Sequence, residues 1–157
     1  MGEPETFQKK LFDLTGKKAV VTGAGRGIGK GVALGLANAG ADIGLVSRSE
    51  SELNAAAELV RACGRRAAVG ASDLTVTSDI APLVSGLAKD LGGIDILVNN
   101  AGVNIPQDSV DVTEVAWDTV MAINLKAAFF MAQAVGKVMI DQGRGGRIIN
   151  MTSQTGS

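Results

Sequence analysis

Thr22–Gly29 reads TGAGRGIG, and this stretch decides the fold that the rest of the chain must accommodate. A β-rich run, KAVVT, leads into it at Lys18–Thr22, and a helical pattern follows it directly. Glycine permits a tight turn and a close backbone approach to a ligand, and the helix after the turn offers free N–H groups and the positive end of its dipole. A strand, a glycine turn and a helix in this order predict a site for the phosphates of a dinucleotide.

The glycines of this turn follow a particular spacing. A strict G-x-G-x-x-G motif fails, because Ile28, Lys30 and Val32 stand where each register requires the third glycine. The G-x-x-x-x-G-K-[ST] phosphate loop fails as well, which removes the main support for a kinase or an ATPase. The spacing that fits is T-G-x-x-x-G-x-G, whose glycines are Gly23, Gly27 and Gly29.

Short apolar runs alternate with helical patterns along the rest of the chain. Runs that are apolar almost throughout are typical of strands buried on both faces of a parallel sheet, and their alternation with helices indicates βαβ units. The sequence therefore predicts an α/β fold, a doubly wound parallel sheet of the Rossmann type that stops after its fifth strand. We expect a polar lead-in over residues 1–15 and one incomplete dinucleotide-binding domain over residues 16–157. The predicted strands are Lys18–Thr22, Asp42–Ser47, Arg66–Ala71, Ile94–Asn99 and Arg147–Thr152.

The first three helices have recognisable ends and inner faces. Gly40, Gly64 and Gly92 follow them, as glycine often does at the end of a helix. Ser49 and Glu52 form the pattern of a capping box at the start of the second helix. The predicted inner faces are Ile28, Val32, Leu36 and Ala39, then Leu53, Ala56 and Val60, then Ile80, Val84, Leu87 and Leu91.

The last long helix, predicted over Glu114–Asp141, has a different character. Its segment Ala127–Ile140 is apolar on nearly every side, with Gln133 and Lys137 as the exceptions. A helix without a polar face is buried on more than one side. The sheet can cover one side, and either a partner subunit or a further part of the chain would cover the other.

The composition excludes several classes of function. The chain has 157 residues and a net charge of −1, so it carries no electrostatic signature of a nucleic-acid-binding protein. It contains no histidine and one cysteine, Cys63, which excludes His-based triads, a zinc site and an internal disulfide, and we expect no metal. No unbroken apolar run reaches the roughly 18–20 residues of a membrane span, and MGEPETFQKK lacks the apolar core of a signal peptide. We therefore expect a cytoplasmic protein without a membrane partner.

The motif NNAG at Asn99–Gly102 follows the fourth strand, and together with the glycine spacing it resembles the short-chain dehydrogenase/reductase family. The resemblance implies that Asn99 ties strands together, that the next three residues line the adenine-ribose and nicotinamide path, and that Asp73 and Leu74 contact adenine. The cofactor-binding residues it implies are Gly23, Arg26, Gly27, Ile28, Gly29, Ser47, Arg48, Asp73, Leu74, Asn100, Ala101 and Gly102.

The end of the second strand indicates which dinucleotide is bound. An acidic residue about 20 residues after the glycine turn would bind the ribose hydroxyls of NAD, but Ser47 and Arg48 stand there instead. Arg48 and Arg26, which lies inside the turn, could converge on a 2′-phosphate, for which arginine has the suitable geometry. Alternatively, Arg48 is a solvated residue before a helix and Arg26 caps the turn. We expect NADP(H) to be favoured, with NAD(H) possible.

Two further residues match the family's catalytic motifs. Asn124 corresponds to its helix-borne asparagine, which organises a water of the proton relay, and Ser153 to the serine that bonds the substrate oxygen. The family's Tyr-x-x-x-Lys pair would lie beyond Ser157, and the chain contains no tyrosine. Because that pair supplies the general acid/base, we expect the 157 residues alone to be inactive.

These residues imply an NAD(P)-dependent oxidoreductase that transfers hydride between the cofactor and a secondary alcohol or ketone. The stretch Ala101–Phe130 is similar both to sugar-acid dehydrogenases such as gluconate 5-dehydrogenase and to 3-oxoacyl-carrier-protein reductases. A non-catalytic dinucleotide-binding regulator remains an alternative. A methyltransferase is disfavoured, because no acid ends the second strand. The resemblance also implies a homotetramer or homodimer packed through the helix over residues 114–141.

Overall fold

A computed structural model describes residues 11–153 of the chain. Five parallel strands form one sheet in the order β3-β2-β1-β4-β5. The order reverses at β1, which pairs with β2 on one side and with β4 on the other. Ligands of open α/β sheets bind beyond the carboxyl ends of the strands at such a reversal. The strands are β1 (Lys18–Thr22), β2 (Asp42–Ser47), β3 (Ala67–Ala71), β4 (Ile96–Asn99) and β5 (Arg147–Asn150).

Helices cover both faces of the sheet, which confirms the doubly wound parallel fold. In β1, Ala19 and Val21 face one core and Val20 faces the other, and all three are fully buried. Helices α1 and α2 pack on the first face, and α3 and α5 on the second. The helical elements are α1 (Gly27–Asn38), α2 (Glu50–Ala62), a 3₁₀ turn (Thr77–Asp79), α3 (Ile80–Leu91), α4 (Glu114–Met121), a π-helical segment (Ala122–Ala127) and α5 (Ala128–Gln142).

The inner face predicted for α1 is only partly correct, since Val32 and Leu36 pack against the core but Ile28 does not. Ile28 is 70% exposed, and Val32, Leu36 and Ala39 are only half-buried. The fully buried positions of this helix are all occupied by small residues. The buried residues are Gly29, Ala33 and Ala37.

The other two inner faces are confirmed, since every residue predicted for them in α2 and α3 is buried. The capping box of α2 forms only by half. The Ser49 hydroxyl accepts a hydrogen bond from the Glu52 N–H at 3.3 Å, but no reciprocal bond from Ser49 N–H to the Glu52 carboxylate occurs among residues 11–153. The Glu52 side chain is therefore not used by its own helix cap.

Three strand boundaries differ from the predictions by one or two residues. β3 begins at Ala67, and β5 ends at Asn150. β4 begins at Ile96 because the backbone of Ile94 pairs with a side chain: Ile94 N–H donates to the Gln142 amide oxygen, and Gln142 Nε2 donates to the Ile94 carbonyl, each at 2.8 Å. Shifts of this size are usual at strand ends.

The long helix at Glu114–Gln142 covers 29 residues, close to its predicted bounds, but the π-helical segment interrupts it. A stripe along it, comprising Ala127, Met131, Val135 and Met139, is buried against the sheet and α3. By length and composition alone this helix could also span a membrane. The sequence does not indicate this, because polar residues interrupt every apolar run within the helix.

The predicted lead-in is described only from residue 11 onward, and residues 1–10 lie outside the described part. Leu14 packs against the core beneath α1 and α2, and its N–H donates to the Ala39 carbonyl at 2.7 Å. The end of the lead-in is thus attached to the sheet domain.

Candidate functional site

A cleft of about 650 Å³ opens at the carboxyl ends of β1, β2 and β4, where the strand order reverses. Most of the residues predicted for the cofactor meet there. Lining it are Gly23, Arg26, Gly27, Ile28, Gly29, Ser47, Arg48, Leu74, Asn100, Ala101 and Gly102.

Thr22, the last residue of β1, joins the glycine turn to the NNAG motif. Its buried hydroxyl accepts hydrogen bonds from Asn100 N–H at 3.0 Å and Ala101 N–H at 2.9 Å. Asn100 Nδ2 in turn donates to the Thr22 carbonyl at 3.0 Å. Thr22 therefore braces the turn and holds the two motifs together.

Gly29 is the position at which the turn tolerates no side chain. A Cβ there would collide with the Gly23 carbonyl oxygen and with Asn100 Nδ2. Gly31, two residues further along the same helix, has open space around it. The Gly29 position of the motif is thus required by the close packing of the turn.

The amino end of α1 has the properties of a phosphate site. The first N–H groups of a helix have no partner within it, and the Arg26 side chain at the N-cap does not bond to them. The first turn contains no acidic residue, so the positive end of the dipole is not neutralised. These donors fit the pyrophosphate of a dinucleotide.

Two arginines and one carboxylate surround the end of β2. Arg26 and Arg48 are exposed, Glu52 is half-buried, and all three line the cleft. Among the ion pairs of residues 11–153, none involves any of these groups. Two cations and one anion are thus available to a ligand.

Asp73 and Leu74 lie together at the end of β3, but only Leu74 lines the cleft. The Asp73 carboxylate accepts bonds from Thr75 N–H at 3.0 Å and Thr75 Oγ1 at 2.8 Å. These two bonds, with a smaller contribution from the nearby Arg48 charge, hold the pKa of Asp73 below its usual range. The carboxylate thus closes its own turn and is not among the residues lining the cleft.

Asn124 lies in the π-helical segment and holds the loop after β4. Its Oδ1 accepts from Val103 N–H at 2.8 Å, and its Nδ2 donates to the Val103 carbonyl at 2.9 Å. π-Helical turns occur frequently at functional sites. The side chain therefore fixes the backbone beside Gly102, which itself lines the cleft.

Ser153 follows the end of β5 by three residues and is exposed. Neither Ser153 nor Asn124 is among the residues that line the cleft. β5 is held to β4 next to this point, where Asn99 Nδ2 donates to Asn150 Oδ1 at 3.0 Å. Asn99 thus ties the two strands together, as the resemblance implies.

The sequence predictions missed part of the lining. Glu52 was assigned only to a helix cap, although an acid five residues after the end of β2 is a signal that could have been followed. The other missed lining residues belong to no sequence motif that would have identified them. The missed lining residues are Gly25, Ser49, Glu52, Ser72, Val103 and Ile123.

Comparisons with known proteins show the family of the chain. The family described as short chain dehydrogenase matches residues 17–157. The 2-dehydro-3-deoxy-D-gluconate 5-dehydrogenase of Escherichia coli (strain K12) is 46% identical over 142 residues, which are 90% of this chain and 55% of that protein. Gluconate 5-dehydrogenase of Gluconobacter oxydans is 40% identical over 143 residues, 91% of this chain and 56% of that protein.

A solved structure shows the same fold. Carveol dehydrogenase from Mycobacterium avium, in complex with NAD, has a TM-score of 0.86 at 28% identity, covering 89% of this chain and 55% of that chain. The chain therefore belongs to the short-chain dehydrogenase family. It spans a little over half the length of the relatives it matches.

Proposed function

We propose that the full-length protein is an NAD(P)-dependent oxidoreductase that interconverts a secondary alcohol and a ketone, with a sugar acid such as gluconate as its substrate. The observation that carries the proposal is the cleft in which Thr22 joins the glycine turn to NNAG at the free amino end of α1. The two sugar-acid dehydrogenases described above favour this substrate class over acyl-carrier-protein substrates.

Asn124 and Ser153 would have different roles in the reaction. The bound nicotinamide supplies or accepts the hydride. Asn124 holds the loop at Val103 beside the cleft. The Ser153 hydroxyl would bond the substrate oxygen and stabilise the charge that develops on it. The family's general acid/base is a tyrosine, and these 157 residues contain none, so we expect no turnover from them alone.

The experiment is an assay of the full-length protein with NADP⁺ or NAD⁺ and gluconate, followed at the absorbance of the reduced cofactor. Turnover is the expected result. Reduction of an acetoacetyl thioester without oxidation of gluconate would instead indicate a 3-oxoacyl-carrier-protein reductase. Cofactor binding without turnover on either substrate would indicate a regulator and contradict the proposal.

NADP(H) is the favoured cofactor in this proposal, because Arg48 and Arg26 line the cleft and no acidic residue ends β2. Arg48→Asp should weaken NADP(H) binding by about tenfold or more, since it replaces a partner of the 2′-phosphate with a like charge. Titration of both cofactors measures the change. If Arg48→Asp binds NADP(H) with the affinity of the wild type, Arg48 does not contact the 2′-phosphate.

The proposal also includes a homodimer or homotetramer in the cytoplasm. The helix at Glu114–Gln142 leaves a set of large apolar side chains exposed, a patch typical of an interface between subunits. A stripe of the same helix is buried in the sheet domain, which favours a soluble assembly over a membrane span. The exposed residues are Val115, Trp117, Leu125, Phe129 and Ile140.

Phe129→Gln should reduce the assembly to a smaller species, because Phe129 is 60% exposed and a polar group would be buried at the interface. Size-exclusion chromatography with light scattering measures the mass. Val110→Gln is the control, since Val110 is exposed but lies outside the helix. An unchanged mass for Phe129→Gln would place the interface elsewhere.

A further inference from the structure

We propose that Glu52 sets the balance between the two dinucleotides by opposing a 2′-phosphate and accepting a hydrogen bond from a free 2′-hydroxyl. This inference rests on the proposed function, since it concerns the adenosine end of the same cleft. Glu52 lines the cleft from the first turn of α2. Its role in specificity is separate from that of the two arginines.

The Glu52 carboxylate lies beside the glycine turn. A Cβ placed on Gly25 would lie 3.0 Å from Glu52 Oε2, 3.0 Å from Glu52 Cβ and 3.1 Å from Ser47 Oγ. The carboxylate therefore lies over the glycine turn, next to the last residue of β2. The end of the second strand is where such folds bind the adenosine ribose.

The carboxylate has no other structural use. A capping box would use it to accept from Ser49 N–H, but that bond does not form in the described part of the chain, and the Ser49 hydroxyl alone caps the helix. Glu52 also takes no part in the ion pairs found between residues 11 and 153. A half-buried anion with no partner among the described residues remains to act on whatever occupies the cleft.

The charge at the 2′-position of the ligand determines whether Glu52 weakens or strengthens binding. A 2′-phosphate carries about two negative charges near neutral pH and would face Glu52 as well as Arg26 and Arg48. A free 2′-hydroxyl can donate to the carboxylate, which is how acidic residues select NAD in this class of fold. Glu52 thus lowers the advantage that the arginines give to NADP(H), and the protein should use both cofactors.

The test measures dissociation constants of adenosine 2′,5′-bisphosphate and AMP by calorimetry on the full-length protein. Both probes occupy the adenosine end and differ only in the 2′-phosphate. Glu52→Gln should raise the preference for the bisphosphate on the order of fivefold to tenfold. Glu50→Gln is the matched control, because Glu50 belongs to the same first turn but is exposed and does not line the cleft.

The ratio of the two dissociation constants in each variant tests the role of Glu52. A rise in the ratio for Glu52→Gln but not for Glu50→Gln supports the inference. An equal change in both variants would mean that only net charge matters and would overturn it, as would an unchanged or lower ratio for Glu52→Gln. If the wild type binds neither NADPH nor NADH, the proposed function itself fails together with this inference. Because the glutamine is isosteric and the Ser49 cap remains, equal melting temperatures are expected for all three proteins.

Discussion

Thr22 illustrates how much one buried hydroxyl does at this site. It accepts from two successive N–H groups, those of Asn100 and Ala101, and lies 3.4 Å from the Val98 carbonyl, to which it can donate. Two backbone N–H groups of the loop after β4 thus share this one acceptor. A side chain of the same shape without an oxygen would leave two N–H groups without partners.

We expect Thr22→Val to lower the free energy of unfolding by about 1–3 kcal/mol, because the Asn100 and Ala101 N–H groups would lose their acceptor. Cofactor binding should weaken as well, since both residues line the cleft. Urea denaturation and cofactor titration measure the two effects. Thr22→Ser keeps the oxygen and should retain most of the stability and most of the cofactor affinity. If Thr22→Val is as stable as Thr22→Ser, the hydroxyl is dispensable.

Residue identities at the site were partly predictable from the sequence. The glycines and NNAG carry backbone requirements that only a few residue types meet, and the structure brings them together. Side-chain direction was not predictable in the same way. The carboxylate of Asp73, for which the resemblance implies a contact with adenine, bonds to Thr75, and Glu52, which was expected to complete a cap, lies over Gly25.

At the scale of elements, the strand and helix order followed from periodicity, but the inner face of α1 did not. A pattern search assigns the core to large apolar residues such as Ile28 and Leu36. Ala33 and Ala37 are the side chains that this helix buries fully, whereas Leu36 packs against the core only in part and Ile28 is exposed. The π-helical segment was equally hidden, since AINLKA has no signal that separates it from an ordinary helix.

Asp95 holds together the amino ends of the central strands. Its carboxylate accepts from Arg144 Nε at 2.8 Å and from Lys18 N–H at 2.9 Å. Burial by itself would raise the pKa of Asp95, but the hydrogen bonds from Arg144 and Lys18 outweigh it, so the pKa lies below its usual range. The loop before β5 is thereby attached to β1.

This lowered pKa predicts a loss of stability in acid. The contribution of Asp95 is complete above its unfolded pKa of about 3.9 and is lost as the pH falls through the lower folded value. Asp95→Asn should cost about 1–2 kcal/mol at pH 7 and should show a smaller further loss between about pH 4 and pH 2. Urea denaturation at several pH values measures both.

The control for this experiment is Asp118→Asn, because Asp118 is exposed on α4 and forms none of the ion pairs within residues 11–153. It should leave both the stability at pH 7 and the acid dependence almost unchanged. Parallel acid profiles for the wild type and Asp95→Asn would contradict the role given to Asp95.

At the scale of the whole molecule, the sheet order places the glycine turn, NNAG and the end of β2 around a single cleft. The resemblance implied this convergence, because it assigned residues of all three segments to one cofactor, and parallel strands carry their loops to one edge. The sequence could not predict what covers the exposed apolar face of the long helix, since a solvent-facing patch and a subunit interface share the same residue pattern. The chain belongs to the short-chain dehydrogenase family and spans a little over half the length of the relatives it matches.

The central claim is that this cleft binds a nicotinamide dinucleotide. The most direct measurement is a fluorescence titration of the full-length protein with NADPH and NADH, with the variants Gly29→Ala and Gly31→Ala alongside. We expect saturable binding by the wild type and by Gly31→Ala, whose added methyl meets open space, and a loss of at least tenfold in Gly29→Ala, whose methyl collides with Gly23 and Asn100. Absence of binding to either dinucleotide, or wild-type affinity in a folded Gly29→Ala variant, would contradict the account.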